Sequence, residues 1–252
     1  VTESTCAPTL LVTTANDHDD GVCDAADCTL REAILAANSR ARSTIGFASG
    51  VTGTIQLASA LPTLSSTIAL QGPGANVLTV RRNIAGSYRI FTINSGAVVN
   101  LSGLTITNGN VLGSSGGGIN NAGTLTLTSV TISGNTATNG GGIFNAGTVT
   151  ITNSTISGNT VSSGGLAGSG GGIHNFGGTV TIINSTISGN SANGPGGNSD
   201  SAGGIFTNVG TVTITDSTVS GNSGDLGGGI RNPNGGIVTS KNTIIALNTS
   251  AS

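Results

Sequence analysis

Apolar and hydroxyl-bearing residues alternate with a period of two through the second half of the chain. In GTVTITNSTISGN, Gly147 to Asn159, Val149 and Ile151 fall on one side and Thr148, Thr150 and Thr152 on the other. That is the pattern of a half-buried strand. Copies of the unit begin at Gly123, Gly178 and Gly210, so their starts lie 24 to 32 residues apart. A period of this size belongs to the coil of a solenoid. Each copy predicts a second short strand carrying Ile156 inward. A third carries Ile143 out of a glycine run that recurs as Gly118-Ile119, Gly142-Ile143, Gly172-Ile173, Gly204-Ile205 and Gly229-Ile230.

Three short strands per coil, with coils stacked at roughly 4.8 Å, describe an all-β chain wound as a parallel β-helix. Equivalent residues then stand in columns. The expected core columns are Leu125, Val149, Val180, Val212 and Ile237; Leu127, Ile151, Ile182 and Ile214; and Ile132, Ile156, Ile187, Val219 and Ile244. Full burial of each side chain contributes roughly 1.5 to 3 kcal/mol, so a coil is stable only between neighbours.

Residues 1–43 do not repeat and are expected to form an N-terminal cap. The β-helix then occupies 44–252, with degenerate coils over 44–95 and regular ones over 96–252. The cap holds all three cysteines. Cys23 with Cys28 is the first choice for a disulfide, because the intervening four residues can turn back, which leaves Cys6 unpaired or intermolecular. Asp17, Asp19, Asp20 and Asp24 lie close enough in sequence to offer oxygens to a hard cation such as calcium, although their spacing matches no calcium loop. The alternative is a solvated Asp- and Gly-rich turn. No other cofactor is implied. In CTLREAILAAN, Thr29 and Glu32 make a capping box ahead of good helix formers, and Leu30, Ile34 and Ala37 mark one apolar face. An amphipathic α-helix here would cover the open first coil.

CTLREAILAAN, with the preceding Asp-Asp-Gly-Val-Cys-Asp, resembles the CSLREA-type segment that precedes right-handed parallel β-helix repeats in exported microbial proteins. Thr29 stands where that motif has serine. The GGGIxN and STISGN units are similar to polymorphic outer-membrane and adhesin-type repeats. This resemblance implies export, a right-handed winding and a surface or extracellular setting, and it brings no catalytic motif.

Outward columns carry whatever chemistry the coils have. Asn121, Asn145, Asn175 and Asn232, with Thr207 interrupting, and Asn135, Asn159, Asn190 and Asn222 read as two outward ladders with a structural role. Thr124, Thr126 and Thr128 repeat in later coils as a flat Thr-x-Thr array, which resembles the ice-binding face of solenoid antifreeze proteins but is also ordinary strand chemistry. Phe144, His174 and Phe206 follow the glycine-run isoleucines in successive coils and are expected to form an exposed aromatic contact surface. Arg81, Arg82, Arg89 and Tyr88 gather in the degenerate coils, either to grip an anionic polysaccharide or as solvated coil edges.

Composition narrows the functions. Eight Lys and Arg scattered through 252 residues, at a formal charge of −2, supply no basic surface for nucleic acid. No apolar run reaches the length of a membrane span. A start at Val1 fits a secreted product whose signal has been removed, and equally a trimmed chain. Beyond residue 90 the charges are Asp200, Asp216, Asp225, Arg231 and Lys241. Asp216 and Lys241 are expected to pair across neighbouring coils, and no two carboxylates share a face as glycoside hydrolysis needs. The leading expectation is a secreted, non-enzymatic structural or adhesive β-solenoid that self-associates or meets a cell-surface partner. Its open last coil and a spare strand at Thr9 to Thr13 would allow filaments. A polysaccharide-binding or polysaccharide-degrading protein is the alternative, and an ice-binding protein the third reading.

Overall fold

A computed structural model of the chain describes residues 9–162, 169–192 and 201–250. Four parallel sheets form the walls of a β-helix. In the coil that opens at the Gly140–Gly142 run the chain passes through Ile143–Asn145, Thr148–Thr152, Thr155–Ser157 and Thr160–Val161. The first three are the expected strands, and a fourth, short one follows them. We call the faces IV, I, II and III in that order. Face I has nine strands, face II eight, and faces III and IV six each. Chains that cross between parallel strands in this way wind right-handed.

Register confirms the core columns through the regular coils and extends them backwards. Ile68, Val99, Leu125, Val149, Val180 and Val212 stack on face I, as do Leu70, Leu101, Leu127, Ile151, Ile182 and Ile214. On face II the column runs Ile55, Val80, Ile106, Ile132, Ile156, Ile187 and Val219. All are buried. In the last coil the expectation fails by one residue: Val238, not Ile237, continues from Val212, and Ile245, not Ile244, continues from Val219. Because side chains alternate, a slip of one reverses the face. Ile237 and Ile244 therefore point outward, 60% and 62% exposed.

Both asparagine ladders are inside, which corrects their expected outward position. Asn121, Asn145 and Asn175 are fully buried, and each amide donates to the next coil: Asn121 to Asn145 at 2.7 Å, Asn145 to Asn175 at 2.9 Å, and Asn175 to the Thr207 hydroxyl at 3.2 Å. Asn232, at the end of the series, is exposed and bonds locally to Gly236. The second ladder runs unbroken through Asn135, Asn159, Asn190, Asn222 and Asn248, every amide-to-amide step being 2.9 Å. Buried polar groups persist only where they are paired, and here the pairing is complete along the axis. Close backbone approach makes room for the ladders. A Cβ on Gly141 would lie 2.5 Å from the Thr160 carbonyl oxygen and 2.6 Å from that of Gly171.

The helix, α1, spans Leu30–Asn38 and begins in a complete capping box. Its buried Leu30, Ala33, Ile34 and Ala37 pack against strands Thr9–Val12 and Arg42–Phe47. Thr9–Val12 is not spare. It pairs in parallel with Thr44 to Phe47 and forms the edge of face I. Cys23 and Cys28 are disulfide-bonded, with Cα atoms 4.3 Å apart, while Cys6 lies outside the described residues. The closed loop is short, and chain-entropy reasoning gives about 2 kcal/mol for it. Reduction is expected to lower the stability measured by urea unfolding by about that amount, with intact far-UV circular dichroism under native conditions.

Candidate functional site

The acidic residues of the cap mostly hold the cap together. Asp17 is fully enclosed, forms a two-point ion pair with Arg31 at 2.8 and 3.0 Å, and accepts from the Ala58 amide at 2.6 Å. Asp19, Asp20 and Asp24 each accept from backbone amides of their own turns. The four therefore do not converge on one point as calcium ligands. A different set does come together: His18, Asp20 and Glu32 place ligand atoms within 4.8 Å of one another. His18 Nε2 is 2.8 Å from Asp27 Oδ2, whose hydrogen bond holds the imidazole pKa above its usual value. Burial alone would raise the Glu32 pKa. Hydrogen bonds from Thr29 and the Asp20 amide, with the nearby His18, hold it below the usual value instead.

On face IV the register aligns Thr92, Asn120, Phe144, His174, Phe206 and Arg231 in one outward column. The three expected rings do meet. Phe144 and His174 lie 5.2 Å apart edge to face, His174 and Phe206 5.0 Å, and Phe176 joins at 6.0 Å from Phe144. They are not the exposed stripe the alternation predicts, because His174 and Phe206 are 6% and 3% exposed. The open ring is Phe176, which sequence reasoning missed. Its signal was one more residue of strand, Ile173–Phe176, in this coil. Neither nitrogen of His174 has a hydrogen-bond partner of good geometry. Burial pushes its pKa down to about 4, and the nearby Ser169 backbone opposes the shift without reversing it.

Beside the start of this column is a groove of about 390 Å³ where three successive coils meet. Its walls are drawn from residues within 60–63, 87–92 and 111–114, with Tyr88 and Arg89 among the lining residues. Tyr88 is fixed through its hydroxyl, which donates to the Leu57 carbonyl at 2.6 Å and accepts from the Asn83 amide at 3.1 Å. Arg31 of the helix donates to the carbonyls of Ser59 and Ala60, so the cap holds one wall. Of the clustered cations, Arg82 is buried and donates to the carbonyls of Asn108, Asn83 and Gly86. Arg81 lies on face II in register with Thr107. Arg89 alone of the three lines the groove. Leu112 and Ser114 belong to it through stacking that the sequence shows only as a separation of one coil.

Neither a protein-family model nor a curated protein sequence matches the chain. A solved structure of deglycosylated pectin methylesterase from Aspergillus niger superposes on it with a TM-score of 0.47 at 17% identity, covering 96% of this chain and 87% of that one. The likeness is one of fold.

The remaining acids are dispersed. Asp216 sits at the turn between faces I and II and accepts from Asn242 at 3.1 Å. The register neighbour of Lys241 is Thr215, so the expected pair with Lys241 is not formed. Asp225 is buried beyond face III, and Asp200 lies outside the described residues. The expanded loops at 160–169 and 191–201 also fall largely outside them. The threonine array on face I is in register, with Thr126, Thr150, Thr181, Thr213 and Thr239 unbroken along the middle and Ile183 interrupting the neighbouring column.

Proposed function

We propose that the chain is a non-catalytic, extracellular β-solenoid that binds an extended polysaccharide along face IV. The observation that carries this is continuity: the groove at Tyr88 and Arg89 opens beside Thr92, from which one outward column runs over Asn120 to Phe144. With coils stacked at roughly 4.8 Å, Thr92 to Phe144 spans about 10 Å, a path suited to a linear polymer. Fixed apolar and aromatic surface beside a few polar groups is the usual make-up of a ligand groove. The disulfide supports an oxidising, extracellular setting. No described helix is long and apolar enough to cross a membrane. Asp216 and Asp225 occupy different corners of the coil, which supports binding over hydrolysis.

Electrophoresis of the intact chain through gels containing polygalacturonate, xylan or dextran tests the reading. Retardation by at least one polymer, with no new reducing ends or unsaturated products after prolonged incubation, is the expected result. Unretarded migration in every gel would remove the binding claim, and released products would remove the non-catalytic one.

A further inference from the structure

We propose that the groove selects acidic sugars, taking a uronate carboxylate on the guanidinium of Arg89. This rests on the polysaccharide reading and names the class of polymer. Arg89 is held by the following coil, since Nη2 donates to Ser114 Oγ at 2.8 Å and to the Ser115 carbonyl at 3.0 Å. Those bonds fix the plane of the guanidinium. Nε is buried without a partner, and among the described residues both hydrogen bonds of the guanidinium are made by Nη2. Every other residue lining the groove is neutral, and none is an acid.

The charge on Arg89 is thus half-buried and uncompensated. Burial accordingly presses its pKa below the usual arginine value. Removing a cation from water without a counter-ion is costly, and the guanidinium geometry best recovers that cost from a planar carboxylate. Arg31 by contrast has Asp17 and Arg82 has three carbonyls, while Arg81, whose Nε is also unpaired, lies on face II and does not line the groove. In the same groove, Tyr88 and the exposed Leu112 offer surface for the C–H face of a pyranose ring. A neutral sugar would satisfy that surface and leave the cation unmatched. A uronate satisfies both.

Titration calorimetry of the full chain with polygalacturonate, dextran and dextran sulfate, at low and high salt, tests this. Polygalacturonate is expected to bind tightest and to weaken with salt. Arg89→Gln should weaken it roughly ten- to hundredfold while leaving dextran binding unchanged, and Arg89→Lys should recover part of the loss. Leu112→Glu, at a position 59% exposed, adds an acid to the groove and removes apolar ring surface without touching the core, so it should weaken polygalacturonate more than dextran. Equal affinity of the wild-type chain for dextran, or for dextran sulfate, overturns the carboxylate assignment and leaves polysaccharide binding in place. Absence of binding to all three polymers overturns both.

Discussion

Asn159→Ala is expected to destabilise the protein by about 4 kcal/mol or more, an exceptional cost for one small polar side chain. The Asn159 amide is fully buried, and its Nδ2 donates to Asn190 Oδ1 and to the Ile132 carbonyl, both at 2.9 Å. Its Oδ1 accepts twice, from the backbone amide of Asn135 at 3.0 Å and the side-chain amide of Asn135 at 2.9 Å. Truncation strips bonds from three residues in two neighbouring coils and leaves the buried backbone amide of Asn135 without its acceptor. Each buried group left unpaired costs roughly 1 to 3 kcal/mol, more where it belonged to a connected network. Asn159→Asp should be no rescue, because it keeps the acceptor, loses the donor and adds a buried charge. Asn234→Ala is the control. Its amide bonds to Asn208 at 2.7 Å, but in the open, so its loss should change stability by no more than about 0.5 kcal/mol. Urea unfolding of the three variants decides the matter, and a ladder substitution as mild as the control would show that the columns are ornament to an aliphatic core.

The same ladder shows what can be read from one strand and what cannot. Alternation over Thr148–Thr152 is enough to place Val149 and Ile151 inside, because apolar residues in a half-buried strand have one favourable side. Asparagine has no such bias. It reads as polar and outward until the next coil is known to supply a matching amide, and that match depends on stacking rather than on local pattern. Arg82 misleads in the same way, since its guanidinium is internal only because the loop from Asn83 to Gly86 folds over it with carbonyls. The helix was legible from its Thr29 cap onward, because a capping box is a local device. Thr9–Val12 was legible as a strand, yet its partner Arg42–Phe47 is separated from it by the whole cap. The groove was the least legible feature. Its walls come from three coils, and only the spacing between Arg89 and Ser114, one coil of 25 residues, links them in the sequence.

Acidification from neutral pH toward pH 4 is expected to weaken the fold through His174, by about 3 kcal/mol when complete. The imidazole is 6% exposed among Phe144, Phe176 and Phe206, neither nitrogen has a hydrogen-bond partner of good geometry, and the Ser169 backbone offsets burial only in part, so its charged form is disfavoured. Its pKa falls from 6.5 in the unfolded chain to about 4 in the native one, a difference that corresponds to about 3 kcal/mol. Between those values the unfolded state binds the proton and the native state does not, so stability is full above pH 6.5 and declines as the pH falls to about 4. Other groups act in other windows. His18, whose pKa is raised, gives a contribution that is present at low pH and lost as the pH rises past its folded value, which opposes the trend. Glu32 and Asp24, both lowered, lose their contributions only as the pH falls below their usual values of 4.5 and 3.8. His174→Phe removes the first effect alone. It should flatten the stability profile between pH 6.5 and 4.5 while leaving the steeper loss below it, and His18→Gln should not. Thermal unfolding across that range provides the readout. An unchanged slope in His174→Phe would mean that the imidazole finds a counter-charge or water when protonated, and that the ring cluster on face IV is less closed than its packing shows.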